Sequence, residues 1–297
     1  MNWRHTAAVL LALGFAGGCS VIGLSPEQEE EAYLLRVAQA EAPWLSAISR
    51  FDKTLTGNYS TRTAFFVAIN EAGLEEGARD SLEAAAGLTP PDTLADDHGH
   101  WLALRGAATE LAPELTQAAA VGDVLNVLAV RRGFGEAEAE FLLSIGREFC
   151  IHLDAVDPAE DCPPDDSLPG GGYGTAAYEA LREYAIRIGP LFLTSAGLDQ
   201  GQRTQYLASV QPEIEELLLG TGDRLGELDP PAEFATDHEA LLRYFDDQYA
   251  VAALITDANA IGDDATILEL YAESARLFDD LQNTLSDAVR PIVNPAF

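Results

Sequence analysis

The chain has 297 residues, a length that fits two average domains or one large helical domain. Its formal net charge is −32, from 17 Lys and Arg against 49 Asp and Glu, which argues against binding to nucleic acid or to an anionic membrane surface. Hydrophobic residues make up 47% of the chain, too many for a disordered acidic polypeptide. We therefore expect a folded protein whose acidic surface favours basic partners.

Residues 1–18 have the layout of a secretory signal peptide. Arg4 precedes an apolar run at residues 7–16, and small residues follow this run up to Cys19. The run is about half as long as the roughly twenty residues that a membrane-spanning helix needs, so a permanent transmembrane segment is not expected. The sequence predicts that this segment is cleaved during export.

The residues before Cys19 carry a second processing signal. Residues 16–19 (AGGC) resemble the lipobox of bacterial lipoproteins, with Ala16 in place of the more common leucine. The resemblance implies that Cys19 becomes the lipidated first residue of the mature chain, followed by a tether over residues 19–25. Acyl chains would then hold the protein on the cell membrane or envelope, outside the cytoplasm. The alternative is an ordinary secretory signal in which Cys19 occurs by chance.

Residues 26–150 show the spacing of apolar side chains that is typical of α-helices. Ser25 is the predicted N-cap of a first helix that extends to about Leu55, with a bend near Pro43. A second helix is predicted over residues 60–87. No hairpin pattern competes with this all-α interpretation.

Two further helices complete this region. Pro90 and Pro91 are expected to precede a third helix, which Gly122 ends. The fourth helix is predicted over residues 123–150, with a break at residues 133–135 (GFG), because glycine disfavours the helix interior.

The sequence repeats itself after 140 residues. This shift aligns the Pro90-Pro91 pair with Pro230-Pro231 and brings further identical residues together: Leu88 with Leu228, Ala95 with Ala235, Asp97-His98 with Asp237-His238, Leu102 with Leu242, and Gly122-Asp123 with Gly262-Asp263. The repeat predicts two tandem duplicated units resembling four-helix bundles, at residues 26–150 and 175–297. The alternative is a continuous array of eight helices with a shared core.

Residues 151–174 are predicted to form a linker, because they are rich in Pro, Gly and Asp and lack an apolar period. With Cys19 assigned to lipidation, Cys150 and Cys162 are expected to form a disulfide in an oxidising compartment. A metal site that includes His152 is the alternative.

Two ligand patterns in the linker are weak. Its carboxylates could offer oxygen ligands to calcium, but they lack EF-hand spacing; they are Asp157, Glu160, Asp161, Asp165 and Asp166. The glycine-rich residues 170–174 lack the preceding strand and the following lysine of a phosphate-binding loop.

The repeated Asp-His pairs are the best candidates for chemistry. Asp97-His98 and Asp237-His238 could act in acid–base chemistry or ligate a divalent metal. Adjacent residues of a helix point about 100° apart, however, so one pair does not aim both side chains at one target. The alternative is a structural role, in which the histidines form hydrogen bonds in the first turns of equivalent helices, next to the Pro-Pro pairs.

The sequence contains no recognisable catalytic motif, such as Gly-x-Ser-x-Gly. It favours an envelope-anchored lipoprotein that acts as a non-catalytic binding or scaffolding module, without a resident cofactor and with an envelope protein or a basic partner. A metal-dependent solute-binding protein or enzyme that uses the repeated Asp-His positions is the second hypothesis. Any small-molecule pocket is expected inside a bundle or between the repeats.

Aromatic residues recur at helical spacing in both units. This spacing is more typical of core packing than of a ligand cage. The residues assigned to the core on this basis include Trp44, Tyr244, Tyr271 and Phe278.

Overall fold

The computed structural model describes residues 25–56, 62–153, 162–164, 168–192 and 200–293. Within these ranges the regular elements are α-helices and short 3-10 helices, and no β-strand occurs. The all-α prediction is confirmed. The predicted signal peptide and Cys19 lie outside the described residues. Among the helices that are described, none combines the length and apolar character needed to cross a membrane.

The first half of the chain opens with a long helix that begins at a capping box. Ser25 Oγ accepts a hydrogen bond from the Gln28 backbone N–H at 3.3 Å, and Gln28 Oε1 accepts one from the Ser25 N–H at 3.0 Å. The helix continues through Pro43. The helices of this half are α1 (Pro26–Thr56), α2 (Arg62–Glu71), α3 (Leu74–Ala86), α4 (Ala95–Val121), α5 (Val124–Ser144) and α6 (Arg147–Cys150), with a 3-10 turn at Asp92–Leu94.

Two predicted helices break at different places from those expected. The helix predicted over residues 60–87 is interrupted at Gly73, whose φ of +73° favours glycine, and this divides it into α2 and α3. The helix predicted over residues 123–150 runs through residues 133–135 without a break and ends at Ser144. The break expected at residues 133–135 was therefore wrong.

Close packing explains one of these helical glycines. A Cβ atom added at Gly135 would lie 2.6 Å from Cβ of Pro190, whereas one added at Gly133 would lie 3.4 Å from the nearest Leu111 methyl. Gly135 therefore allows α5 to approach the 3-10 helix Gly189–Phe192 of the second half. Gly135 therefore permits a close contact between the two halves and does not form a turn.

Two helices of the second half repeat the bounds of two helices of the first. Helices α9 and α10 match α4 and α5 after the shift of 140 residues, and the left-handed glycines Gly122 and Gly262 end α4 and α9. Asp123 and Asp263 then cap α5 and α10 with their side chains. The helices of this half are α7 (Gly172–Ile188), α8 (Gln200–Gly226), α9 (Ala235–Ile261), α10 (Asp264–Thr284) and α11 (Arg290–Val293).

The last residues of the predicted linker, residues 151–174, belong to a helix. Helix α7 begins at Gly172, and Tyr173 and Gly174 are already buried in its first turn. A Cβ atom at Gly174 would overlap the carbonyl oxygen of Pro169, so this glycine permits a tight approach to the helix.

The hydrophobic core crosses from one half to the other. Its larger cluster contains Trp44 and Phe134 of the first half together with Leu181 and Phe245 of the second. A smaller cluster surrounds Trp101 and the disulfide. This shared core is what the continuous helical array requires, and two self-contained bundles would each need a core of their own.

Ion pairs also join the halves. Arg132 lies 2.8 Å from Glu213, and Arg187 lies 2.8 Å from Glu140. The buried guanidinium of Arg182 donates a hydrogen bond to the carbonyl oxygen of Leu142 at 2.6 Å. Cations of this acidic chain therefore lie along the contact between its two halves.

Candidate ligand-binding site

The repeated histidines each pair with a tyrosine from another helix. The Tyr33 hydroxyl lies 2.6 Å from His98 Nδ1, and the Tyr173 hydroxyl lies 3.1 Å from His238 Nδ1. Both pairs are 65 residues apart in sequence, so the repeat extends to Tyr33 of α1 and Tyr173 of α7. Each contact joins the helix that opens its half to the helix that follows the Pro-Pro pair.

The repeated aspartates also make equivalent contacts. Asp97 Oδ1 accepts a hydrogen bond from the Gly146 N–H at 2.9 Å, and Asp237 Oδ1 accepts one from the Ser286 N–H at 2.8 Å. The Ser286 hydroxyl donates a second bond, to Asp237 Oδ2, at 2.6 Å. Aspartate and histidine of each pair therefore reach different segments, and their contacts run between elements rather than within one first turn.

The part of the chain that the structure describes contains no group of three or more His, Cys, Asp or Glu side chains that could hold a metal ion. In both halves Nδ1 of the histidine faces a tyrosine hydroxyl of another helix. The carboxylates considered for calcium, Asp157, Glu160, Asp161, Asp165 and Asp166, lie outside the described residues.

Cys150 and Cys162 form a disulfide with their Cα atoms 5.5 Å apart, as the sequence predicted. The Tyr178 hydroxyl donates to the Cys162 carbonyl oxygen at 3.0 Å and so attaches the cross-linked segment to α7. The alternative, a metal site formed by these cysteines and His152, does not occur: the cysteines are bonded to each other, and His152 Nδ1 lies 2.8 Å from the Glu148 carbonyl oxygen.

Each half contains a pocket, and the two pockets occupy equivalent positions. We call them the first pocket, between α1, α4 and α5, and the aromatic groove, between α7, α8, α9 and α10. Six pairs of residues related by the 140-residue shift line both: Trp44 and Tyr184, Leu104 and Tyr244, Ala108 and Gln248, Arg131 and Tyr271, Phe134 and Ser274, and Glu138 and Phe278.

The first pocket is small, about 60 Å³, and contains a buried ion pair. Arg105 Nε lies 3.1 Å from Glu41 Oε1, and each of these residues is only 4% exposed. Trp101 Nε1 also donates to Glu41, and the Arg105 guanidinium lies over the Trp44 ring at 5.0 Å. The chain thus places its own cation against the aromatic wall of this pocket.

Burial works against both charges of this pair. It raises the pKa of Glu41, although Arg105 and the Trp101 N–H act in the opposite direction, and it lowers the pKa of Arg105. Arg105 Nη1 is buried and has no hydrogen-bond partner. Such a pair is a costly feature, since desolvation of two charges can exceed their mutual attraction.

The second half replaces this polar cluster with hydrophobic residues. Leu181, Leu241 and Phe245 stand 140 residues after Glu41, Trp101 and Arg105, and all three are buried. Tyr184, the counterpart of Trp44, packs against Phe245 in a T-shaped arrangement with ring centres 5.1 Å apart. At these three positions the same scaffold therefore carries a polar, charged cluster in one half and hydrophobic side chains in the other.

The aromatic groove is larger, about 290 Å³, and more open to solvent. Its walls include four aromatic rings, those of Tyr184, Tyr244, Tyr271 and Phe278. Of the described residues that line it, none carries a formal charge. A concave site with an aromatic lining and a few polar groups has the character of a small-molecule pocket.

The phenols of the groove stay neutral. Burial raises the pKa of Tyr244 to about 12 and also raises the pKa of Tyr184 and Tyr271. The Tyr271 hydroxyl has no hydrogen-bond partner among the described residues, although it is shielded from solvent. Such an unpaired buried group carries a desolvation penalty.

Amide side chains hold the walls of the groove together. Gln248 Nε2 donates to the Ser274 carbonyl oxygen at 2.9 Å, and the Ser274 hydroxyl donates to Gln248 Oε1 at 2.7 Å, which joins α9 to α10. Gln211 Nε2 donates to the Ala252 carbonyl oxygen at 2.9 Å, which joins α8 to α9. The groove is therefore a preformed cavity between helices that are bonded to one another.

Comparison of the chain with protein-family models, with curated proteins and with solved structures finds no match. The functional assignment therefore depends on the pockets themselves. Sequence reasoning placed Tyr271 and Phe278 in the core, but both are only partly buried and line the groove. A comparison of the repeat positions, which pairs Tyr271 with Arg131 and Phe278 with Glu138, could have shown that this site differs between the halves.

Proposed function

We propose that this protein is an extracytoplasmic, lipid-anchored binding protein that holds a small ligand in the aromatic groove. The observation that carries the proposal is the groove itself, an open cavity of about 290 Å³ lined by four aromatic side chains and by the polar residues Gln211, Gln248 and Ser274. Aromatic rings give a ligand a large contact area, and a few polar groups can orient it.

We further propose that the fold arose by duplication of a unit resembling a four-helix bundle. The matching bounds of α4 and α9, and of α5 and α10, support this origin. So do the Tyr–His and Asp contacts that recur at the same sequence separations in both halves. One copy kept a charged, nearly closed pocket, and the other became the ligand-binding copy.

The binding proposal can be tested by filling the groove. Ala275 lines the groove on α10 and is exposed, so Ala275→Trp should obstruct it without disturbing the core. Ala272→Trp is the matched control, because Ala272 is exposed on the same helix and does not line the groove.

The readout is ¹⁹F NMR of the protein labelled with 3-fluorotyrosine, titrated with a panel of sugars, amino acids, nucleosides, ammonium compounds and short peptides. We expect at least one compound to cause saturable shifts that Ala275→Trp removes and Ala272→Trp retains. If every compound leaves the tyrosine signals unchanged, or if both variants respond like the wild type, the groove is not a ligand site.

The lipid anchor is tested separately in a bacterial host supplied with labelled palmitate. The full chain should incorporate the label and sediment with membranes, whereas Cys19→Ser should lose the label. Lack of label in the wild-type chain would contradict lipidation and would leave the groove proposal unaffected.

A further inference from the structure

We propose that the aromatic groove selects a quaternary ammonium group. This inference rests on the proposed binding function and specifies the ligand class for the same groove. The geometric basis is that three tyrosine rings and one phenylalanine ring line a single cavity, together with neutral polar side chains. The faces of such rings attract cations, and clusters of them recognise methylated ammonium groups.

The charge of the protein favours a cationic ligand. The chain carries a formal net charge of −32, so its field repels anions and raises the local concentration of cations. Arg276 follows the groove residue Ala275 on α10, but it is paired with Glu273 and Asp280 and also lies near Asp247. This neighbourhood therefore holds one positive and three negative groups and does not oppose a cation.

In the first pocket, which is the equivalent of the aromatic groove, a cation already lies against an aromatic ring. There the Arg105 guanidinium lies 5.0 Å from the Trp44 ring centre. In the second half, Tyr184 replaces Trp44, and the counterpart of Arg105 is the uncharged Phe245. The other cation of the first pocket, Arg131, is replaced by Tyr271. The first half supplies its own cations, whereas the groove presents aromatic rings without one.

The lining favours a quaternary ammonium over a protonated amine. A protonated amine has N–H donors that need acceptors when they are desolvated. No described carboxylate lines the groove, and the Gln248 side chain is already bonded to Ser274. A quaternary ammonium has no N–H donor and requires only a surface of matching polarity, which the aromatic rings provide.

The test compares choline with 3,3-dimethylbutan-1-ol, its neutral isostere in which carbon replaces nitrogen, by ¹⁹F NMR and calorimetry at low salt. We expect choline to bind at least about tenfold more tightly than the isostere, since their shapes agree and only one is charged. Equal binding of the two would overturn the ammonium assignment while supporting a ligand groove. Binding of other compounds but not of choline would also overturn the ammonium assignment and support a ligand groove.

Variants at Tyr271 separate charge from hydrogen bonding. Tyr271→Arg introduces the first-half residue and should weaken choline binding by roughly tenfold or more through repulsion. Tyr271→Phe keeps a ring and should change the affinity by less than about threefold, whereas a ligand held by the hydroxyl would be lost. Leu268→Arg is the charge control, because Leu268 is 69% exposed on α10 and lies outside the groove.

Circular dichroism would show whether each variant folds, and Ala275→Trp replaces Tyr271→Arg if the latter does not. A choline affinity that Tyr271→Arg or Ala275→Trp leaves unchanged would place binding elsewhere and overturn the assignment. Binding to vesicles of phosphatidylcholine or of phosphatidylglycerol then shows whether the ammonium group belongs to a lipid or to a free solute. Selective binding to the former indicates a lipid head group, and binding of free choline alone indicates a solute.

Discussion

The Tyr33 hydroxyl and His98 Nδ1 lie 2.6 Å apart and connect α1 to α4 in the buried part of the first half. Tyr33→Phe would remove the hydroxyl and leave the histidine nitrogen without this partner. We expect a loss of about 1–3 kcal/mol in the free energy of unfolding, measured by urea denaturation. Tyr173→Phe should have a similar effect in the second half. A Tyr33→Phe, His98→Phe cycle without coupling energy would show that the contact contributes nothing.

The same histidines predict a pH dependence. Burial lowers the pKa of His98 and His238, so their folded-state pKa values lie below the unfolded value of about 6.5. Their neutral forms support the fold fully above about pH 6.5, and this support is lost as the pH falls from there through the lowered folded-state pKa. Thermal unfolding at pH 7.5 and pH 5 should therefore show a larger stability loss in wild type than in His98→Phe. An equal loss would contradict a neutral buried His98.

The ion pair of the first pocket can be replaced by its second-half counterparts. Glu41→Leu alone removes the carboxylate that lies 3.1 Å from the buried Arg105 Nε and leaves Glu138 as a neighbouring negative charge, and we expect it to cost about 3 kcal/mol. The combined Glu41→Leu, Trp101→Leu and Arg105→Phe variant copies Leu181, Leu241 and Phe245 and should recover most of this loss. Denaturant titration of the single and triple variants provides the measurement. A triple variant less stable than the single would show that the pair is needed for the fold of this half.

Two glycines of α5 provide a matched pair for packing. Gly135→Ala places a methyl group 2.6 Å from Pro190 Cβ and should destabilise the protein by about 1–3 kcal/mol. Gly133→Ala meets its nearest neighbour at 3.4 Å and should be neutral or stabilising by up to about 1 kcal/mol, because alanine favours the helix. The melting temperatures of the two variants measure this difference in stability. Similar values would mean that α5 does not press against Pro190.

Neutral salt is expected to stabilise the fold. With a formal net charge of −32, repulsion between surface carboxylates opposes the compact state, and salt screens it over about 8–10 Å at ordinary ionic strength. The melting temperature should rise between low salt and about 0.5 M NaCl. Sucrose at matched osmolality controls for excluded volume. A melting temperature independent of salt would contradict this expectation.

Helix type was predictable from local patterns, because caps and terminators depend on a few neighbouring residues. Ser25, Gly122 and Asp123 act where their residue types predict. Gly133 and Gly135 led to the wrong prediction of a helix break. Residue 135 is glycine because α5 packs closely against Pro190, a residue 55 positions away in the sequence. The role of His98 was hidden in the same way, since its partner Tyr33 lies on a different helix.

The candidate site was harder to predict than the fold. A ring at helical spacing is equally consistent with a core and with a groove wall, so the sequence did not distinguish Phe245, which is buried, from Tyr271, which is partly exposed. What separates them is the position of the neighbouring helices α8 and α9 relative to α10. That position depends on packing between distant parts of the chain.

The shared core also determines what a protease would leave behind. Trp44 and Phe134 of the first half pack in one cluster with Leu181 and Phe245 of the second. A fragment that ended near the linker would present much of this cluster to water, so neither fragment would survive as a stable product. Degradation of this protein should therefore pass directly from the intact chain to small peptides, and both pockets would disappear together.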